Sequence, residues 1–589
     1  MRRPTAPERP SFRPGSASLR HAMARHGSQY HGVRVVHSAL HPLLMLAAIR
    51  SAAVLGVDAY DVTVEVDVAP GLPCWTLVGL PAAGVKESRE RVAAALANAG
   101  FAVPPRRITV NLAPGDIRKE GTAFDVPIAL AILVATGQLA ASTVSAVVAV
   151  GELGLDGALR GIRGALPIAR LAAARASDDG GALTLVVPPA NAAEAALVRS
   201  LRVHAPISLG GLVASLRRGR LPAVDPGAAL VAHSIADDVD FADVAGQGGA
   251  KRAFEVAAAG GHNVALVGPP GAGKTMLARR LPTILPPLAE EEALAVIAIH
   301  SVAGVLPAAL TTAPRRPFRA PHHTVSTAGL IGGGSTPRPG EVSLAHHGVL
   351  FLDELLEFPR HVLDALRQPM EDGKVTIARA SAAASFPAQF TLVGAMNPCP
   401  CGAGASAPGV GPACRCSVAE VARYRARLSG PLADRIDMHV AVGAVSIRAL
   451  SMPAAPGESS AAIRARVEAA RARQIARFAA LPGVGCNAHV PSRWLLANSP
   501  ADVAARELLA GAAERLGLSA RGYHRVLKVA RTIADLDDVD EVTTGAVAEA
   551  LRYRPGALGG GTAIGGEPAH AASGAPPVVR PRFVRAVRP

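Results

Sequence analysis

Aromatic side chains are scarce in this 589-residue chain: Phe, Trp and Tyr together make up 3%. Any core must therefore be filled by Ala, Val and Leu. Cysteine is scarce too, and six in this length exclude a disulfide-stapled scaffold and fit a reducing cytosol. No internal repeat of about 20–50 residues is present, which excludes a solenoid or a propeller. No membrane span is expected either. The long uncharged stretch Val126–Gly151 is interrupted by Gly137, Gln138, Ser142, Thr143 and Ser145. It divides into a helix-like half and a Val-rich, strand-like half. Acidic residues fall short, 46 against 61 Lys and Arg, for a net charge of +15. That balance points to a polyanion such as nucleic acid. Its distribution weakens the argument, because residues 1–44 carry a net +6 and residues 555–589 a net +3.

What is present is apolar. Hydrophobic residues make up 50% of the chain, enough for a sizeable core and against general disorder. At roughly 150 residues per domain the length suggests three or four domains. Residues 1–44 are expected to be a disordered leader or an over-long start preceding a first residue near Met45. Residues 45–217 read as an α+β domain, ordered from about Ile49. Val62, Val64, Val66 and Val68 alternate with polar residues as a half-buried strand does. Glu87–Ala99 reads as a helix that stops at Gly100, and Arg107–Leu112 as a strand. Helices are expected over Phe124–Thr136, Gly164–Ala176 and Asn191–Ser200, with strands near Ser145–Val150 and Leu183–Val187. Residues 218–239 suit a linker. Residues 240–450 alternate strands and helices in an α/β pattern, residues 459–554 form a helical bundle, and residues 555–589 a loose Gly/Ala/Pro tail.

The strongest motif is Gly268-Pro269-Pro270-Gly271-Ala272-Gly273-Lys274-Thr275, followed by Met276. It comes after an apolar strand, Asn263–Val267, and opens a helix, Lys274–Leu281, expected to end at Pro282. That is the context a P-loop needs. Its glycines turn backbone N–H groups toward a phosphate, and the helix N-terminus adds positive character. Lys274 neutralises the β- and γ-phosphates of ATP, and Thr275 ligates Mg²⁺. Val349–Leu352 is an apolar strand ending in Asp353 and Glu354. Asp353 would hold Mg²⁺ through water and Glu354 would polarise the attacking water. Gln389–Met396 is a strand ending in Asn397, an amide placed to sense the γ-phosphate. Arg435, after helix 417–428, and Arg521, at the start of a later helix, could each stabilise phosphate charge, Arg521 by folding over the nucleotide. On residue type alone both read more readily as surface salt-bridge arginines.

Several further segments carry a resemblance that runs from about Met45 to Arg554. They include Val85-Lys-Glu-Ser-Arg-Glu-Arg91, Arg107-Ile-Thr-Val-Asn-Leu-Ala-Pro114 and Pro317-Phe-Arg-Ala-Pro-His-His-Thr324. Leu344–Glu354, Met396-Asn-Pro-Cys-Pro-Cys-Gly402, Leu428–Asp437 and Leu518–Leu527 add to them. The chain resembles the ComM/YifB family of magnesium-chelatase-like AAA+ ATPases. The resemblance implies an α/β P-loop AAA+ core, an N-terminal Lon-protease-like α+β domain and a C-terminal helical lid. It implies a homo-hexamer in which Arg435 is the arginine finger and Arg521 a second sensor. It further implies an ATP-driven branch-migration helicase acting on recombination intermediates in natural transformation. In the related clade of helicases and chelatases, a hairpin like the one expected between helix 359–371 and Asn397 projects into the ring pore. Lys374 and Arg379 would then meet DNA phosphates, although they read equally as solvated charges. The Lon-like domain departs from a protease: Lys119–Asp125 lacks the nucleophilic Ser, and Arg163 stands where a Lys base belongs. Proteolysis is not expected.

Cys399, Cys401, Cys414 and Cys416 could hold a structural Zn²⁺ that staples an insertion over residues 399–416. Reduced cysteines in a loop are the alternative. The pairs His322–His323 and His346–His347 read as hydrogen-bonded scaffold rather than a metal site. The expected protein is a cytoplasmic ATPase moving on branched or single-stranded DNA. Its rivals are a chelatase-type motor that drives metal insertion or remodels a protein partner, and an ATP-binding regulator without turnover. No integrin-type metal-binding domain is evident in the chain.

Overall fold

A computed structural model of the chain describes residues 45–178, 180–225, 239–306, 314–334, 337–379, 382–403, 414–444 and 457–554. The expected leader and tail, most of the expected linker and the middle of the cysteine-rich insertion lie outside the described residues.

The N-terminal region is built on a seven-stranded mixed sheet. Its order is Cys74–Val78, Arg107–Ala113, Asp58–Ala69, Met45–Leu55, Val147–Ala149, Thr184–Val186 and Arg202–His204. The alternating valines set its register. Val64 faces Leu112 and Val66 faces Val110, and all four are wholly buried. The first strand starts at Met45, four residues before the expected Ile49. Strand Cys74–Val78 has no fully buried face, so its alternation carries no sequence signal. The uncharged stretch becomes helix Asp125–Ala135 and strand Val147–Ala149. Among the described residues no helix is long and apolar enough to cross a membrane. The helix expected over Asn191–Ser200 shrinks to Ala192–Ala195. Asn191 spends its side chain on the backbone N–H and C=O of Ile162 instead of capping.

The central sheet has five strands, all parallel, in the order Phe318–Arg319, Val349–Leu352, Thr391–Met396, Val264–Val267 and Met438–Ala441. Helices cover parallel strands on both faces, which is why these read as unbroken apolar runs rather than alternations. Helix Lys274–Ile284 continues past Pro282, contrary to expectation. The N–H that Pro282 lacks falls in the last turn, where it removes a single bond. The helix expected over 359–371 is instead two, Arg360–Ala365 and Arg367–Asp372. Pro369 cannot donate to Ala365, and the break falls there. The expected hairpin is present, Lys374–Arg379 against Ala382–Pro387.

Residues 460–552 supply five helices, Ser460–Arg477, Ser492–Asn498, Val503–Leu516, Ala520–Leu536 and Thr544–Arg552. Ser459, Asp502, Ser519 and Thr543 cap four of them, each accepting from the N–H three residues on. Their apolar faces merge with the central region. Val467, Ala470, Val526 and Ile533 share one buried cluster with Ala253, Val256 and Leu266. The N-terminal region meets the central one through Leu166 packed on Ile297 and Ala298. The Gly164 N–H donates to Ser301 Oγ at 2.9 Å, and Arg163 lies against Gly304.

Candidate nucleotide site

Three strands deliver their chemistry to one edge of the central sheet. Val264–Val267, Val349–Leu352 and Thr391–Met396 run parallel, with Val267 beside Met396 and Leu352 beside Gly394. Their carboxyl ends release the loop 268–273, the pair Asp353–Glu354, and Asn397 side by side. Ligands of open parallel sheets bind at such ends. In the loop, Gly271 and Gly273 take left-handed φ values of +76° and +85°. These conformations turn successive N–H groups inward, as an anion cradle requires.

The side chains converge. Lys274 Nζ donates to the carbonyls of Gly268 (2.7 Å) and Pro269 (3.0 Å) and to Asn397 Oδ1 (3.2 Å). Burial pushes this ammonium below its ordinary pKa, while Asp353 and Glu354 pull it back up. A phosphate would favour the charged form further. Thr275 Oγ1 donates to Asp353 Oδ2 at 2.8 Å, so a hydroxyl and a carboxylate already share one point where a hard cation fits. Glu354 sits at φ +52°, and its carboxylate lies 3.4 Å from His323 Nδ1. Sequence reasoning gave His323 no role in this site; its only signal was the quoted segment Pro317–Thr324.

Arg435 and Arg521 lie elsewhere. Both pair with one carboxylate, Glu371, Arg521 at 2.9 Å. Their hydrogen bonds, Arg435's first, hold Glu371 below the usual carboxylate range. Arg521 lines a cavity of about 570 Å³ with Glu371, Asn263, Phe390 and Asp437. The last three immediately precede strands Val264–Val267, Thr391–Met396 and Met438–Ala441. These arginines therefore sit at the amino ends of strands whose carboxyl ends carry Lys274. Four residues of strand separate the ends by roughly 13 Å, further than an arginine side chain spans. Within one chain Arg521 lies on Glu371, apart from the nucleotide loop. Arg435 is buried rather than on an open edge, and it also donates to Pro431 O at 2.5 Å.

A hub that sequence reasoning missed holds this end together. Asn263 Oδ1 accepts from Leu392 N–H (2.8 Å), its Nδ2 donates to Arg435 O (3.2 Å), and its N–H donates to Asp437 (2.9 Å). Arg525, from the C-terminal helices, pairs with Asp437. Burial alone would raise the Asp437 carboxyl, but Arg525 and His262 hold it well below the carboxylate range. In the hairpin Lys374 is exposed at the base, opposite Pro387, and Arg379 pairs with Ala382 at the far end. The face formed by Val375, Ile377, Ala384 and Phe386 packs inward. The rings within each histidine pair lie 4.1 Å and 3.9 Å apart, tilted by 34° and 38°, and His346 Nδ1 accepts from the Gln389 N–H at 3.1 Å. Among the described residues the one group that gathers three or more metal-type ligands is Cys399, Cys401, Cys414 and Cys416.

A parallel sheet with a phosphate cradle, a lysine, a threonine–aspartate pair and an adjacent glutamate defines a P-loop ATPase core. Comparison with known proteins then places the chain. The family described as "Magnesium chelatase, subunit ChlI" matches residues 240–450. Two companion descriptions, "Subunit ChlI of Mg-chelatase" and "Magnesium chelatase, subunit ChlI C-terminal", match residues 64–191 and 457–554. YifB of Salmonella typhimurium is 44% identical over 514 residues, covering 87% of this chain and 97% of that protein. The competence protein ComM of Haemophilus influenzae is 44% identical over 516 residues, covering 87% and 98%. Rv2897c of Mycobacterium tuberculosis is 44% identical over 510 residues, covering 86% and 97%. The chain belongs to the ComM/YifB family of magnesium-chelatase-like AAA+ proteins, and ATP and Mg²⁺ are the cofactors that membership implies.

Proposed function

We propose that this chain is a ring-forming, ATP-driven DNA motor, a branch-migration helicase acting on recombination intermediates. The observation that carries the ring is the placement of Arg435 and Arg521 at the sheet end opposite Lys274, tied to Glu371. They serve a nucleotide only if it is held by the next protomer of a homo-hexamer. There Arg435 acts as the finger and Arg521 as the second sensor, and the γ-phosphate competes with Glu371 for both. Within each protomer the cradle and Lys274 hold the phosphates, and Thr275 and Asp353 would hold Mg²⁺, which offsets phosphate charge when bound. Glu354 orients and polarises the attacking water, and Asn397 links that water to Lys274.

DNA as the track rests on the basic balance of the chain and on kinship with a protein named for competence. The N-terminal region is read as Lon-like without protease chemistry. Arg163 lies against Gly304 of the central region, and the guanidinium is no base. The C-terminal helices are read as the lid, Lys374 and Arg379 as phosphate contacts, and the cytoplasm as the compartment. A second reading has its own support: the matching family descriptions are those of a magnesium chelatase subunit. It makes the chain a motor for metal insertion or for remodelling a protein partner.

One measurement separates the two. The ATPase rate of purified protein is taken with and without a four-way DNA junction, alongside the mass of the assembly. The motor reading expects a six-chain particle with ATP and stimulation by the junction. A rate indifferent to branched and single-stranded DNA would remove DNA as the track and leave the remodelling reading.

A further inference from the structure

The four cysteines of the insertion converge on one point. The Sγ atoms of Cys399, Cys401 and Cys414 stand 3.3, 3.6 and 3.7 Å apart, and with Cys416 every pair lies within 4.8 Å. A disulfide needs about 2.05 Å. Four thiolates at about 2.3 Å from one ion in a tetrahedron stand about 3.8 Å from each other, close to the spacing observed. Cys399 is buried, whereas Cys401 and Cys414 are exposed, so an ion has a way in. Soft sulfur ligands select zinc over the magnesium used for hydrolysis.

The cluster also touches the nucleotide loop. Cys399 follows Asn397 by two residues, and Asn397 accepts from Lys274. Gly402, at φ +82°, lies so close to Pro270 that a Cβ there would stand 2.8 Å from the proline ring. On the far side of the cluster, Ser417 caps helix Val418–Arg425. From that helix Arg425 donates to Pro398 O, the carbonyl next to Asn397, at 3.5 Å. The chain thus leaves the site at Asn397, passes through the four sulfurs, rests on Pro270 and returns to Pro398, beside Asn397. We propose that Cys399, Cys401, Cys414 and Cys416 bind one zinc ion, and that this ion braces the P-loop and Asn397 in their nucleotide-gripping arrangement. The brace rests on the nucleotide-site reading above; the zinc does not.

The test uses the full chain purified without chelators. Elemental mass spectrometry should find one zinc per chain, and Cys401→Ser and Cys414→Ser should each lower it. Iron, no transition metal, or zinc unchanged in both variants would overturn the site. Affinity for a fluorescent ATP analogue is then measured without DNA, before and after chelator stripping, and in Gly402→Ala. Stripping should weaken binding roughly tenfold or more. Gly402→Ala, which crowds Pro270 but keeps all four sulfurs, should weaken binding while retaining its zinc. Affinity unchanged in both cases would overturn the brace. Neither arm requires turnover, a ring or DNA, so each fails separately from the motor reading.

Discussion

Lys274 and Glu354 make opposite demands at the residue level. The ammonium needs enclosure and receives it from two carbonyls and an amide; the carboxylate needs access to water and remains exposed. Removing the Glu354 charge while keeping its shape should therefore separate binding from chemistry. Glu354→Gln is expected to bind ATP as the parent does and to lose at least about 100-fold in turnover. Nucleotide titration and a phosphate-release assay read the two effects. Turnover near the parental rate would take water activation away from Glu354. These residues were legible because a P-loop and a strand-end acid pair are local patterns. His323, beside Glu354, was not, because its partner lies 31 residues away and its loop has no periodic signature.

Among the elements, close approach decides what the strands tolerate. Gly348 precedes strand Val349–Leu352, where an added Cβ would stand 2.1 Å from Pro317 O. The Val349 N–H donates to that same carbonyl at 2.7 Å. Gly348→Ala should push Phe318–Arg319 off the sheet and cost about 3 kcal/mol. Gly249→Ala is the control: nothing lies within 4 Å of a Cβ there. In a helix that change should be neutral or stabilise by about 0.5 kcal/mol. Urea midpoints check both, and equal midpoints would mean that the edge strand yields freely. Apolar runs announced three of the five parallel strands, Val264–Val267, Val349–Leu352 and Thr391–Met396. Residues 459–554 read only as helical, and their starts at Ser459, Asp502, Ser519 and Thr543 were not singled out. Strand Cys74–Val78 stayed hidden because both its faces are partly exposed.

Across the whole molecule, Lys274 and Arg435 belong to opposite ends of one sheet, so cooperation between them would be a property of an assembly. The proposed ring makes this testable by mixing. Lys274→Ala and Arg435→Ala should each be nearly inactive alone. Mixed one to one, about one interface in four pairs an intact lysine with an intact arginine, by random assortment. ATPase activity in the mixture well above the average of the two variants is expected. An average and nothing more would place both residues in one chain's service.

The sequence by itself determined the parts whose physics is local. The cradle, its lysine, the acids at a strand end and the spacing of the cysteines each lie within a few residues, where backbone connectivity sets the distances. Only the tertiary structure decided what depends on strand order and direction. Parallel pairing brings Thr275 to Asp353 and Lys274 to Asn397. The same pairing carries Arg435 to the far end, where helix Ala520–Leu536 brings Arg521 onto the same Glu371. The physical reason is that a sheet aligns strands distant in the chain, and which ends then coincide follows from packing rather than from any short stretch of residues.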